Sequence, residues 1–186
     1  MKKEEIDKII SKHALWLDKK DGGERADLCG SDLHEANLSD TNMTEAGLYG
    51  ANLSEANLRG ANLNEADLQG ADLRDADLRG AKLSDANLRG ANLTNAHMAF
   101  ADLRVADLRW AYLRFADLEG ADLRNTDLSD TDLRDTNLRC ADLIGAYLCR
   151  TDLRGADLRG AKMNRQDMDS ASLTKKQRDS IDIVSD

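Results

Sequence analysis

Proline is absent from all 186 residues, so every corner of this chain relies on backbone geometry rather than on a ring-fixed φ. Aromatic residues make up only 4% and charged residues 33%, a balance that in an irregular sequence would point to disorder. The three cysteines, Cys29, Cys140 and Cys149, show no Cys-X-X-Cys spacing and are read as free thiols in a reducing, cytoplasmic setting. No apolar run is long enough to span a membrane, and the charged start from Met1 does not resemble a signal peptide. His13, His34 and His97 are scattered, with no Ser or Cys nucleophile set beside them. His34 and Cys29 approach each other across one corner, but two ligands do not define a metal site. No glycine-rich phosphate loop is present. These absences argue against an enzyme, and no cofactor or metal is expected.

What is present is a period. From Ala26 to Leu173 every fifth residue is Leu or Met, through thirty repeats without an insertion. The residue two before each Leu is nearly always Ala; Ser31, Thr41, Thr126, Thr131, Thr136, Thr151 and Gln166 are the exceptions. A helix would rotate each Leu by about 140° from the last and leave no buried face. In an extended segment, however, Leu and the Ala two positions earlier point the same way. Each pentapeptide is then a very short strand and a turn, with one large and one small apolar residue inside. Such a unit cannot fold alone and must stack on copies of itself as a solenoid. A Leu and Ala interior leaves no room for a substrate. The hydroxyls of Thr126, Thr131 and Thr136 then need backbone partners inside.

Tandem Ala-(Asp/Asn)-Leu-X-X over residues 26–173 resembles the pentapeptide-repeat proteins. The resemblance implies an all-β solenoid: a right-handed quadrilateral parallel β-helix with four repeats per square coil. Thirty repeats would make about seven and a half coils and a rod about 36 Å tall. Residues 1–25 read as an amphipathic capping helix over 3–20 and a linker. Ile6, Ile9, Ile10, His13 and Leu17 form its inner face, and Gly22 and Gly23 end it. Residues 174–186 read as a short capping helix from about Lys175 to Ile181 and a tail. Thr174 and Gln177 form its capping box, and Ile181 and Ile183 are available for packing.

Residues twenty apart lie above one another, so the outward positions become columns. Arginines stack along Arg114, Arg134 and Arg154 and along Arg139 and Arg159, usually with Asp or Asn two residues earlier. Charge is uneven: residues 26–100 carry a net −7 and residues 101–173 a net −3. Two acidic columns, Glu35-Glu55-Asp75 and Glu45-Glu65-Asp85, belong to the first half. Phe100, Val105, Trp110 and Phe115 form a belt at the last position of four successive repeats, with Tyr112 nearby, and these with the acidic columns are the candidate partner contacts. Phe100, stacked between Gly80 and Gly120, has bare backbone to pack on. The expectation is a rigid acidic scaffold for a protein partner, monomeric or dimerised end to end, without direct nucleic-acid binding. The alternative that the resemblance implies is a DNA mimic that binds DNA gyrase or another type II topoisomerase and protects against quinolones.

Overall fold

The computed structural model describes residues 1–184. Its repeating unit follows from finding a partner for every backbone N–H. In Ala71–Asp75, the Ala71 N–H closes a turn on the Leu68 carbonyl at 3.0 Å. The Asp72 N–H donates to Ala51 in the preceding coil at 2.9 Å, while those of Leu73 and Asp75 donate to Asn92 and Thr94 in the following coil at 2.7 and 3.1 Å. The remaining N–H, on Arg74, donates to the Asp72 carboxylate at 3.2 Å. Five donors thus have five acceptors. The Asp or Asn before each Leu is part of the backbone accounting, not only surface charge. The last residue of the unit has positive φ, +58° at Asp75, as the second central residue of a type II turn requires.

Parallel bridges join residues twenty apart, from Asp27 with Gly47 to Asp142 with Lys162. Four repeats therefore complete each circuit, and the molecule has four faces and four edges. The Leu and Met residues from Leu28 to Met163 are at most 2% exposed and fill the interior with Ala. The Thr residues in the Ala column have their hydroxyls used: Thr41, half-buried, donates to the Leu38 carbonyl at 2.7 Å, and the other four are buried. Thr126, Thr131, Thr136 and Thr151 donate to the carbonyls of Leu103, Leu108, Leu113 and Leu128 at 2.8, 2.8, 3.1 and 2.7 Å.

α1 spans Lys3–Leu17 and lays Ile6 and His13 against the first coil, both buried. It stops three residues short of the expected end. Lys19, in a left-handed conformation at φ +56°, turns the chain before the glycines are reached. Gly23 then passes so close to α1 that a Cβ there would lie 2.4 Å from the Trp16 nitrogen.

At the other end the pentapeptide spacing continues through Met168 and Leu173, but the coils do not. They end at β1, Lys162–Asn164, where α2, Arg165–Ser170, begins. Asn164 accepts from the Asp167 N–H at 2.8 Å as an N-cap, and Gln166 stands where the inward Ala would be. α3 is only Lys175–Arg178, shorter than expected. Its Gln177 amide donates to the open Leu153 carbonyl at 2.8 Å. The chain then returns as β2, Asp182–Val184, parallel to β1, with Lys162 opposite Asp182. Ile181 packs inward, whereas Ile183 remains 53% exposed. The expected tail at 185–186 lies outside the described residues.

Candidate contact surface

The outward positions are dominated by Asp–Arg pairs within single repeats. At Asp72 the Arg74 Nε and Nη2 donate to the two carboxylate oxygens at 2.8 and 2.5 Å, and the pattern recurs at Asp132–Arg134 and Asp152–Arg154. Several Arg also reach the next coil, as Arg134 does to Asp152 at 3.6 Å. Arg114, Arg134, Arg154 and Arg159 are therefore neutralised where they stand, whereas Arg139, whose repeat carries Asn137 instead of Asp, has no carboxylate within ion-pair distance among the described residues. Hydrogen bonding from Arg154, ahead of the Coulombic attraction, holds Asp152 down to about 2.

The two acidic columns are different. Glu35, Glu55 and Asp75, and Glu45, Glu65 and Asp85, occupy left-handed corners with φ between +55° and +60°, and all six are exposed. Among the described residues no Lys or Arg side chain comes within ion-pair distance of any of them; His34 lies 3.9 Å from Glu35. Because the columns occupy alternate corners of a four-cornered coil, they run along diagonally opposite edges. His34 itself is engaged by Ser54, whose carbonyl lies 2.9 Å from Nδ1, and the Cys29 N–H donates to Asp27 at 3.2 Å.

The belt residues Phe100, Val105, Trp110 and Phe115 occupy one corner each, at φ of +59° to +61°. They are 72, 53, 48 and 51% exposed. They do not act as a set. Phe100 lies flat on Gly120, where an added Cβ would come within 2.6 Å of its ring; at Gly80 nothing comes as close. Val105 stands on a separate edge. Trp110, Tyr112 and Phe115, in contrast, share one face: the two edges of the Leu113 face and the strand between them. Guanidinium groups lie over this row, Arg89 and Arg109 at 4.9 and 5.7 Å from the Trp110 ring and Arg114 at 4.5 Å from Phe115. Tyr112 replaces the Asp or Asn that would cap the Arg114 N–H, and the Arg114 side chain turns to Asp135 at 3.3 Å.

The model for Pentapeptide repeats matches eight copies in overlapping stretches from residue 24 to residue 174. The chain belongs to the pentapeptide-repeat family. No curated protein matches the sequence. Among solved structures, QnrB1, a plasmid-mediated fluoroquinolone resistance protein, aligns at 16% identity over 85% of this chain and 87% of its own, with a TM-score of 0.55. HetL, a pentapeptide-repeat protein involved in heterocyst differentiation regulation in the cyanobacterium Nostoc, is 34% identical over 75% of this chain and 85% of its own, at a TM-score of 0.32. A pentapeptide-repeat protein of the Arabidopsis thaliana thylakoid lumen is 28% identical over 73% and 79%, at 0.45. The fold argument rests on the first of these.

Within a pentapeptide-repeat coil the shared face of Trp110, Tyr112 and Phe115 was available to sequence reasoning, because residues 110–115 cross a single side. The Asx cap was not. It becomes visible only when the turn is built and one N–H is left over. A groove of about 540 Å³ lies at the C-terminal end, lined by Asp157, Arg159, Thr174 and Gln177 among others. Arg159 there is already committed to Asp157 at 2.5 Å.

Proposed function

We propose that this pentapeptide-repeat protein is a non-enzymatic scaffold, a rigid acidic rod that holds a protein partner on the Leu113 face. Its bridged repeats make seven coils, wound right-handed as in the family, with α1 and the α2–β2 segment as caps. Three exposed, unpaired cysteines support a reducing, cytoplasmic setting.

The observation that carries this reading is strain joined to exposure in one row. A left-handed corner costs a non-glycine residue roughly 1–2 kcal/mol, and loss of an Asx cap costs about 1 kcal/mol. Trp110, Tyr112 and Phe115 incur these penalties together, yet all three are about half exposed. Packing within the rod therefore recovers only part of the loss. Strain of this kind concentrates at functional sites, and Trp, Tyr and Arg are the residues that anchor protein interfaces. The test is capture from extract of the source cells by the immobilised protein and by its Trp110→Ala, Tyr112→Ala, Phe115→Ala variant. A protein held by the first and lost by the second, with the variant still folded, is the expected result. An identical captured set from both refutes the reading.

The free acidic edges favour a second reading, a DNA mimic that occupies the DNA-binding groove of gyrase or another type II topoisomerase. Each column places a charge every ~4.8 Å, so the two edges together give one per ~2.4 Å, against about 1.7 Å for duplex DNA. The fold likeness to QnrB1 agrees with this reading but does not carry it at 16% identity. Supercoiling by purified gyrase, titrated with this protein, decides the matter. Inhibition at low micromolar concentration, lost when Glu35, Glu55 and Asp75 are changed to Gln, Gln and Asn, supports it; no effect at tens of micromolar refutes it.

A further inference from the structure

We propose that the Leu113 face pairs with the same face of a second copy, side by side and parallel, about a two-fold axis along the rod. This rests on the scaffold reading and names the partner for that row. Across such an axis the column before each Leu meets the partner's column after it. Asp72 then faces the partner's Arg74, Asp132 the partner's Arg134 and Asp152 the partner's Arg154, in every case opposite charges. In the row itself Tyr112 faces the partner's Arg114, and Trp110 the partner's Phe115, a cation–π and an aromatic contact.

The edges fit in the same way except at one rung, where Asp130 faces the partner's Asp135, each carboxylate carrying its own guanidinium, Arg150 at 2.5 Å and Arg114 at 3.3 Å. Gly70 is opposite the partner's Asp75 and Arg150 opposite the partner's Gly155, so a side chain meets bare backbone. An isologous interface needs this self-complementarity. The antiparallel alternative, with the axis across the rod through Tyr112, sets Asp152 against the partner's Asp72 and Arg154 against the partner's Arg74. Charge therefore selects the parallel arrangement.

The face is open for its whole length, from exposed Asp32 to exposed Arg154. Seven rungs at ~4.8 Å and a width of roughly 16 Å give about 550 Å² per copy. The total of about 1,100 Å² just exceeds the roughly 1,000 Å² that a specific interface needs. A reversible dimer follows, not a permanent one.

Sedimentation velocity of the full chain is the first test, with monomer passing to dimer over roughly 1–100 µM. Tyr112→Lys, which sets an ammonium against the partner's Arg114, should raise the dissociation constant at least about tenfold, while Phe100→Asn, on another edge, leaves it unchanged. Should Tyr112→Lys fail to fold by circular dichroism, Arg154→Asp serves instead, since it sets a carboxylate against the partner's Asp152. Spin labels at Asp32→Cys, with Cys29, Cys140 and Cys149 changed to Ser, report the direction. Labels within about 20 Å support the parallel pair, and about 38 Å overturns it. A monomer at every concentration, or a dimer indifferent to both substitutions, also overturns it. Either outcome leaves the scaffold reading to the capture experiment.

Discussion

Leu113→Ala tests the architecture at the coil that carries the aromatic row. Leu113 is fully enclosed, and its backbone is held on three sides. Its N–H donates to Asp132 at 2.8 Å, and its carbonyl accepts from Ala116 at 2.9 Å and from the Thr136 hydroxyl at 3.1 Å. The site therefore cannot collapse onto the missing side chain. Three carbons at about 0.8 kcal/mol each contribute ~2.4 kcal/mol. A residual void of roughly 60 Å³ adds about 1.4 kcal/mol at ~24 cal/mol per Å³. The expected loss is about 4 kcal/mol, near the top of the range for such truncations. In a stack held by nearest-neighbour contacts, a weak mid-stack coil also uncouples its two sides. Urea denaturation should show the loss in midpoint, and native-state hydrogen exchange should show the shorter, C-terminal side opening first. Arg74→Ser, at an exposed pair, is the reference and should change stability by under about 0.5 kcal/mol. A Leu113→Ala loss below about 1 kcal/mol, or one equal to that of Arg74→Ser, would refute the inward placement of the Leu column.

Burial lowers the pKa of His13, opposed by a Thr44 backbone hydrogen bond and by Glu45 and assisted by Arg25, so the folded cap binds a proton less readily than the unfolded chain. Stability from α1 packing is then complete above about pH 6.5 and falls as the pH drops below it, and the protection of Lys3–Leu17 amides against hydrogen exchange, taken relative to the intrinsic rate, should fall at pH 5 but not in His13→Gln. Asp72→Asn keeps the cap on the Arg74 N–H and loses only the ion pair, so it should cost under about 0.5 kcal/mol, whereas Asp72→Ala should cost about 1 kcal/mol more; equal melting temperatures would remove the capping role. Thr131→Val removes the donor to Leu108, whose carbonyl keeps the Ala111 N–H at 3.0 Å, and a thermal melt should register a loss of about 1 kcal/mol. Val105→Asn relieves a β-branched residue in a left-handed corner and should raise stability by up to about 1 kcal/mol; a loss of that size would show that Val105 is held by packing instead.

The period of five and the shared parity of Ala and Leu make the solenoid legible because each buried position depends only on its neighbours twenty residues away. The ends are less legible for the same reason. At Asn164 the spacing persists but the physics changes, since Gln166 has nothing apolar to place inward and the Asn164 side chain caps a helix by accepting from the Asp167 N–H. The sequence signal there is Asn-X-X-Asp, which a search tuned to the period passes over. Asp72 shows the converse error. Its charge suggested a surface lattice, while the orphan N–H that it caps exists only after the turn has formed.

For the contact surface the repeat itself supplies the reference. Each column states what the fold prefers at that position: Asp, Asn or Gly at a left-handed corner, and Asp or Asn before the Leu. A departure can therefore be weighed against the chain's own majority, without recourse to relatives. Phe100 departs, but it gains a packing partner in Gly120. Val105 departs alone. Only across residues 110–115 do two corner departures flank a lost cap on one face, with guanidinium groups over the Trp110 and Phe115 rings and about half of each side chain in solvent. A packing explanation has to account for that exposure, and stabilisation of the isolated rod by Trp110→Gly, Tyr112→Asp and Phe115→Asn together would show that packing does not supply it.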